Sequence, residues 1–369
     1  QFFAAAWTPV LANLVTIATL LMINNVSKVD PPTLGEVTTN NPLRWLLGLG
    51  STSGIIVMTI AMLIALRRNA VRIRWNFDLK HPAVRQLLRL SGWAVGYVAA
   101  NQIALVVIKN LAKPGSGNVD AYSKAYTFLS LPHGLLAVSI ATTFVPELAR
   151  AAADSNTKEF ARRFISGVRL TALATIPASL GMYVLAKPLV AMLLQHGNFS
   201  AAATVNTARA LAGLALGLAG FSIYLFVLRG FYAHNDTRTP FFINLFENAL
   251  NIIFAILFVN KYDVLGLGLA FSIAYLISAV VALFILQRKT SEINAPKILL
   301  SLLPIALSAA VMAVVVKILS QQIAGDKATA GLQATSQVVV CVVVGALVYL
   351  VMIFALRVRE LRELTGKHD

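Results

Sequence analysis

Long apolar runs, repeated along the chain and separated by short polar loops, constrain this protein more than any other feature. A helix needs about 20 mainly apolar residues to cross the hydrocarbon of a bilayer. Ten stretches meet that length: 5–24, 45–66, 88–110, 123–146, 164–194, 203–228, 240–260, 264–287, 298–320 and 336–356. Only 12% of the 369 residues are charged and 58% are hydrophobic, whereas a soluble domain is about a quarter charged. One soluble core cannot absorb that imbalance, so the expected fold is all-α, a polytopic membrane protein of about ten transmembrane helices. Gly, Pro, Ser and Asn recur inside the runs. They predict packed, cavity-lining helices rather than single anchors.

The net charge of +16 would suit nucleic acid, but the cations are not gathered into one patch. They sit in the short loops, which is how membrane orientation is written. Numbering sides from the second run, one side holds Arg67, Arg68, Arg72, Arg74, Lys80, Arg85 and Arg89, then Arg150, Lys158, Arg162, Arg163 and Arg169. Arg229, Arg238, Arg288, Lys289, Lys297, Arg357, Arg359, Arg362 and Lys367 follow on that side. About two-thirds of the 31 Lys and Arg therefore lie on one face, and the bias alternates loop by loop. A miscounted span would scramble it. The reading puts the C-terminus in the cytoplasm and leaves nucleic acid without a role.

The loops on the other side, 24–42, 113–118 and 325–336, are rich in Pro, Gly, Thr, Ser and Asn and read as turns facing water. The single cysteine, Cys341, rules out an internal disulfide and a Cys-based zinc site, and the five histidines lack metal-ligand spacing. No phosphate-binding loop, nucleophile elbow or His-Glu-x-x-His is present. The chain reads as a non-enzyme with no metal and no catalytic residues. It opens in an apolar segment without a charged leader, as the middle of a longer protein would.

Four stretches carry a resemblance to a known family. They are FFAAAWTPVLANLVTI at 2–17, HPAVRQLLRLSGWAVGYVAANQIALVVIKNLA at 81–112, LPHGLLAVSIATTFVPELARAAAD at 131–154, and the run from LLQHGNFSAAATVNTARALAGLALGLAGF to LRGFYAHNDTRTPFFIN at 193–244. The last two are the specific ones. With them the chain resembles the MurJ/MviN lipid II flippases of the multidrug/oligosaccharidyl-lipid/polysaccharide exporter superfamily, and the Gly-Trp and Asn-Gln pairs look like actinobacterial members. The resemblance implies helices five to fourteen of a two-lobed fold. Residues 1–66 would end the first lobe, 67–90 would form a basic cytoplasmic linker and 81–289 the second six-helix lobe. Residues 296–357 would make a two-helix groove for a lipid tail, and 358–369 a cytoplasmic tail. The family's first four helices have no counterpart here, so the chain alone is not expected to flip substrate.

The implied activity is movement of lipid II, an undecaprenyl diphosphate carrying a disaccharide-pentapeptide, to the outer leaflet for peptidoglycan synthesis. The implied mechanism is alternating access of two lobes. Implied partners are lipid II, membrane lipids and cell-wall synthesis proteins. No cofactor is expected beyond a coupling ion of unspecified identity. Alternatives are another polysaccharide-lipid or multidrug exporter, or a non-transporting scaffold of the cell-wall machinery.

Such cargo needs cations for the diphosphate and polar groups for the sugars. Lys124 is the anion candidate. It lies one turn from Thr127, where the family carries a cavity arginine, and the competing reading is a lysine reaching the interface. Lys109 closes the preceding run, with interfacial anchoring the competing role. Asn244, Glu247, Asn248 and Asn251 share one helical face at i, i+3, i+4 and i+7. They would contact substrate, ligate a coupling ion, or form a structural polar network. Arg209 begins the sixth run and can enter the cavity or anchor the interface. Pro132 and Gly134 are candidates for a hinge around His133. Arg229, Asp236 and Arg238 are candidates for a gate, or a turn in which Asp236 caps a helix or pairs with an arginine. Gly213, Gly217 and Gly220 form a small-residue face for close helix packing.

Overall fold

The computed structural model describes residues 3–27, 34–68, 82–324 and 331–356, and every regular element among them is helical. They fall into two compact units, 1–81 and 82–369. The tail 358–369 and most of the basic linker lie outside the described residues.

In the first unit, helix α1 (Phe3–Leu21) packs along α3 (Asn41–Arg68). Small residues bring the two together: a Cβ on Gly54 would stand 3.2 Å from the Ala12 carbonyl oxygen. The 24–42 stretch, expected as turns only, also holds a 3₁₀ turn at Ile23–Asn25 and a short helix, α2 (Leu34–Thr39). The Glu36 side chain explains the second of these. It accepts from the Ser27 hydroxyl at 2.8 Å and from the Asn40 amide at 3.3 Å, closing the loop on itself.

The second unit begins with α4 (Pro82–Leu111) and α5 (Asn118–Pro132). Helix α4 starts six residues earlier than the apolar run, because Pro82 suits a first helical turn. Next come a π-helical turn at His133–Val138, α6 (Ser139–Ala153), α7 (Thr157–Val184) and α8 (Ala186–Leu194). The fifth apolar run therefore divides at Leu185. The Asn156 side chain caps α7 by accepting from Glu159 N–H at 3.0 Å.

The sixth run is not one straight span. It forms α9 (Ala201–Ala215) and α10 (Leu218–Ala233), bent by 46°. A break in hydrocarbon is tolerated only where the freed backbone groups find partners. Here Ser272 donates to the Gly213 carbonyl at 2.6 Å, and Ser179 donates to the Ala215 carbonyl at 2.6 Å. Two serines from neighbouring helices thus take up the carbonyls that the bend releases.

Helices α11 (Arg238–Tyr262) and α12 (Val264–Lys289) make the most extensive helix pair in the unit. A short α13 (Ala295–Ser301) leads to α14 (Leu303–Ala324) and α15 (Leu332–Ala355). This last pair belongs to the same compact unit. It docks on α7 and α8, and the Tyr349 hydroxyl donates to the Leu173 carbonyl at 2.7 Å. Nine of the described helices are long and apolar enough to cross a membrane, and the bent pair makes up to ten.

Lipid as solvent explains the surface. Leu257 is 63% exposed, Leu307 60% and Val351 64%. Exposed apolar side chains at this density would be an aggregation hazard in water. With lipid on both sides of the comparison, little hydrophobic force holds helix to helix, and close approach has to do it. The Gly213–Gly217–Gly220 face serves that end. A Cβ on Gly213 would lie 2.6 Å from the Leu265 carbonyl oxygen, and one on Gly217 would lie 2.7 Å from the Ser272 Cα.

Candidate functional site

The polar face of α11 turns inward. Asn244 is 0% exposed, Glu247 1%, Asn248 6% and Asn251 8%. Their closest polar neighbour comes from α4, where the Asn101 Oδ1 accepts from the amides of Asn244 and Asn248, each at 3.1 Å. Asn248 also donates to the Asn244 carbonyl at 2.9 Å, which holds the row in one rotamer set. Asn101 and Gln102 interrupt the apolar run of α4, and that interruption was the available signal for them as site residues.

This network is incomplete. Both Glu247 carboxyl oxygens, the Asn244 and Asn251 Oδ1 atoms, and the Tyr224 and Ser278 hydroxyls are buried without a hydrogen-bond partner of good geometry. The Tyr275 hydroxyl of α12 stands within hydrogen-bonding influence of the Glu247 carboxyl. No Lys or Arg among the described residues makes an ion pair with Glu247. A buried carboxylate without a cation beside it is costly. The arrangement suits a carboxyl that binds a proton or a cation.

Beside this row lies a cavity of about 540 Å³ between α4, α5, α10, α11 and α12. Asn101, Gln102, Asn248 and Asn251 supply amides to its wall, and Tyr97, Tyr122, Tyr126 and Tyr275 supply amphipathic rings. Phe271 packs tightly behind, with its ring centroid 4.5 Å from that of Tyr275 and 6.1 Å from that of Tyr126. Ring faces beside amides suit a polar ligand with apolar faces. Lys109 lines the same cavity and is its cation.

Lys124 is placed differently. It pairs with Asp120 one turn earlier and lies 5.4 Å over the Phe199 ring. The cavity wall takes Ser123 and Tyr126 from this helix and leaves Lys124 and Thr127 off it. The Thr127 hydroxyl donates to the Ser123 carbonyl at 3.1 Å. Arg209 is exposed and reaches the Tyr262 carbonyl at 3.4 Å, near the opening of α12.

The candidate hinge coincides with the π-helical turn that follows Pro132. Proline removes one backbone donor, and π turns are frequent at functional sites. A Cβ on Gly134 would meet nothing within 4 Å, so close packing does not require this glycine. His133 is held, with Nδ1 3.0 Å from the Ser222 hydroxyl and its ring 4.5 Å from that of Phe221.

Of the candidate gate residues, Asp236 caps α11 by accepting from Thr239 N–H at 2.9 Å. Its ion-pair partner is Lys289, at the end of α12, and not an arginine, because the α11–α12 hairpin brings those two ends together. Arg238 lies 5.7 Å over the Trp93 ring and 5.8 Å over Phe242. Arg229 is exposed near the end of α10.

Burial pulls the Asp236 carboxyl upward, but hydrogen bonds from Lys289 and Thr239 outweigh it and hold it below the ordinary carboxylate value. A depressed pKa stabilises the folded state above the unfolded pKa, about 3.9 for Asp, and the gain is lost as pH falls through the folded value. The melting temperature of the wild type should therefore drop more steeply on acidification than that of Asp236→Asn. Parallel pH profiles would show that the clip contributes nothing.

Comparison with known proteins gives one family. The family model described as "Lipid II flippase MurJ" matches residues 1–336. A probable lipid II flippase MurJ of Rhizobium meliloti (strain 1021) is 30% identical over 279 residues, covering 76% of this chain and 50% of the relative. The lipid II flippase MurJ of Burkholderia cenocepacia is 30% identical over 242 residues, covering 65% and 45%. A solved structure titled "Lipid II flippase MurJ, inward closed conformation" superposes with a TM-score of 0.69 at 25% identity, over 95% of this chain and 67% of that one. The chain spans about half the length of the curated relatives it matches.

Proposed function

Because this chain belongs to the MurJ family of lipid II flippases, we propose that it supplies the headgroup-binding half of a lipid II flippase. The observation that carries the reading is the cavity of about 540 Å³ walled by amides, tyrosines and Lys109. Sugars and peptide would rest against the amides and rings. Lys109 would face an anionic group of the cargo, since an anion in a low-dielectric site needs a cation close by. No bond is made or broken, and the residues act by binding alone.

Glu247, buried and without a cation, is suited to hold the coupling ion or proton. The π turn after Pro132 would flex as the lobes exchange access. Asp236, Arg229 and Arg238 would close the charged face, which the bias of the loops assigns to the cytoplasm together with the C-terminus. Lys124 keeps a role only if its pair with Asp120 opens.

The test is depletion and rescue in cells, with the complete gene and an outer-leaflet probe for lipid II. Wild type should restore display. Lys109→Gln should lower it by roughly tenfold, the size of one lost charged hydrogen bond. Lys124→Gln should lower it less. The reverse order would return the anion site to Lys124. Stable insertion without any rescue by the wild type would point to a different exporter cargo or a scaffold.

A further inference from the structure

We propose that the groove between the first two turns of α11 and the last two turns of α12 binds a diacyl phospholipid with an anionic headgroup. The groove has a volume of about 670 Å³ and is open along one side. Its charged end carries Arg238, Lys289 and Asp236, and its apolar length carries Phe242, Phe246 and Ile285. These residues recur at i, i+4 and i+8 along α11, as do Val281, Ile285 and Lys289 along α12. At about 1.5 Å per residue the slot descends roughly 12 Å from the charged end into the span. That is the depth of an acyl-chain segment below its headgroup.

Two observations name the occupant. First, Arg238 opens one membrane-spanning helix and Lys289 closes the next, so both cations stand at headgroup level on one membrane face. Second, the apolar walls are open to the surroundings, with Phe242 48% and Phe246 40% exposed. In the hydrocarbon they are covered by lipid. Lys289 is already paired with Asp236, and Arg238 is held between Trp93 and Phe242 with no carboxylate of a described residue in ion-pair range. Arg238 is therefore the group available for a phosphate, and it is presented at the mouth of an apolar slot. Basic pockets between helices at the membrane surface have the chemistry that selects anionic lipids. The polar row of α11 faces the other side of the helix, so this groove is separate from the cavity proposed for the cargo.

The experiment is native mass spectrometry of the complete protein released from nanodiscs containing equal amounts of phosphatidylglycerol and phosphatidylcholine. Wild type should retain phosphatidylglycerol selectively. Arg238→Gln should reduce that retention by roughly tenfold, as expected for one charged hydrogen bond. Val281→Trp, which fills the slot and leaves both cations in place, should reduce it as well, and it keeps the test valid if Arg238→Gln disturbs the fold. Equal retention of the two lipids by wild type would overturn the proposal. So would undiminished selectivity in both variants, or full displacement by inorganic phosphate, which would mark a site for free anions. None of these readouts depends on lipid II transport, so the two proposals fail separately.

Discussion

Glu247→Met should raise the thermal stability of the purified protein and abolish transport in cells. The side chain is 1% exposed and neither of its oxygens has a hydrogen-bond partner of good geometry. An unsatisfied buried polar group costs about 1–3 kcal/mol, and a carboxylate more. Methionine fills a similar volume without that cost and adapts to irregular space. A residue that destabilises its own fold yet occupies the centre of a polar row is best accounted for by something it binds. Melting in detergent, read beside lipid II display, separates the possibilities. A fall in stability would make Glu247 part of a structural network. A rise in stability with transport intact would make it dispensable. Glu247→Gln tests the charge alone, because it keeps shape and loses the anion.

Gly268→Val should prevent assembly of the second unit. A Cβ at this position would lie 2.7 Å from the Leu214 nitrogen and 2.8 Å from the Ala210 carbonyl oxygen. Both are backbone atoms of α9, so no side chain can rotate away. Helix α12 would have to retreat from α9, opening the contact that Gly213 and Gly268 make from opposite sides. Overpacking costs about 1–3 kcal/mol where neighbours can yield; here the upper end or beyond is expected. The retreat would also pull the Ser272 hydroxyl from the carbonyl it satisfies at the α9–α10 bend. The control is Gly134→Ala. Nothing lies within 4 Å of its Cβ, and alanine is favoured over glycine in helices by up to about 1 kcal/mol. Size-exclusion profiles and melting curves should show Gly268→Val lost and Gly134→Ala unharmed. A monodisperse, stable Gly268→Val protein would mean that α12 is not held to α9 by close approach.

Part of the site could be read in advance and part could not, for reasons visible in single residues. The row Asn244, Glu247, Asn248 and Asn251 was legible because helical spacing puts it on one face, and hydrocarbon penalises polar groups turned toward lipid. Its partner Asn101 lies 143 positions from Asn244 in the chain, and no local pattern connects them. The choice between Lys109 and Lys124 was likewise closed to one-dimensional reading. Both lie near the ends of apolar runs, and only packing shows one at a cavity wall and the other paired with Asp120. Asp236 was legible as a cap, since the residue types of a helix start are local. Its pair with Lys289, 53 positions away, was not.

By itself, then, the sequence determined the solvent, the approximate position of the apolar spans and the faces on which polar residues fall. All of these follow from hydrophobic length and helical periodicity, which are local quantities. Only the tertiary structure decided where a helix breaks, which polar rows meet and which cation is left available. The bend at Gly217 exists because serines on two other helices receive the carbonyls it frees. Such outcomes depend on partners distant in the chain, and in a membrane, where apolar burial discriminates weakly between helix pairings, close packing and hydrogen bonding select among them.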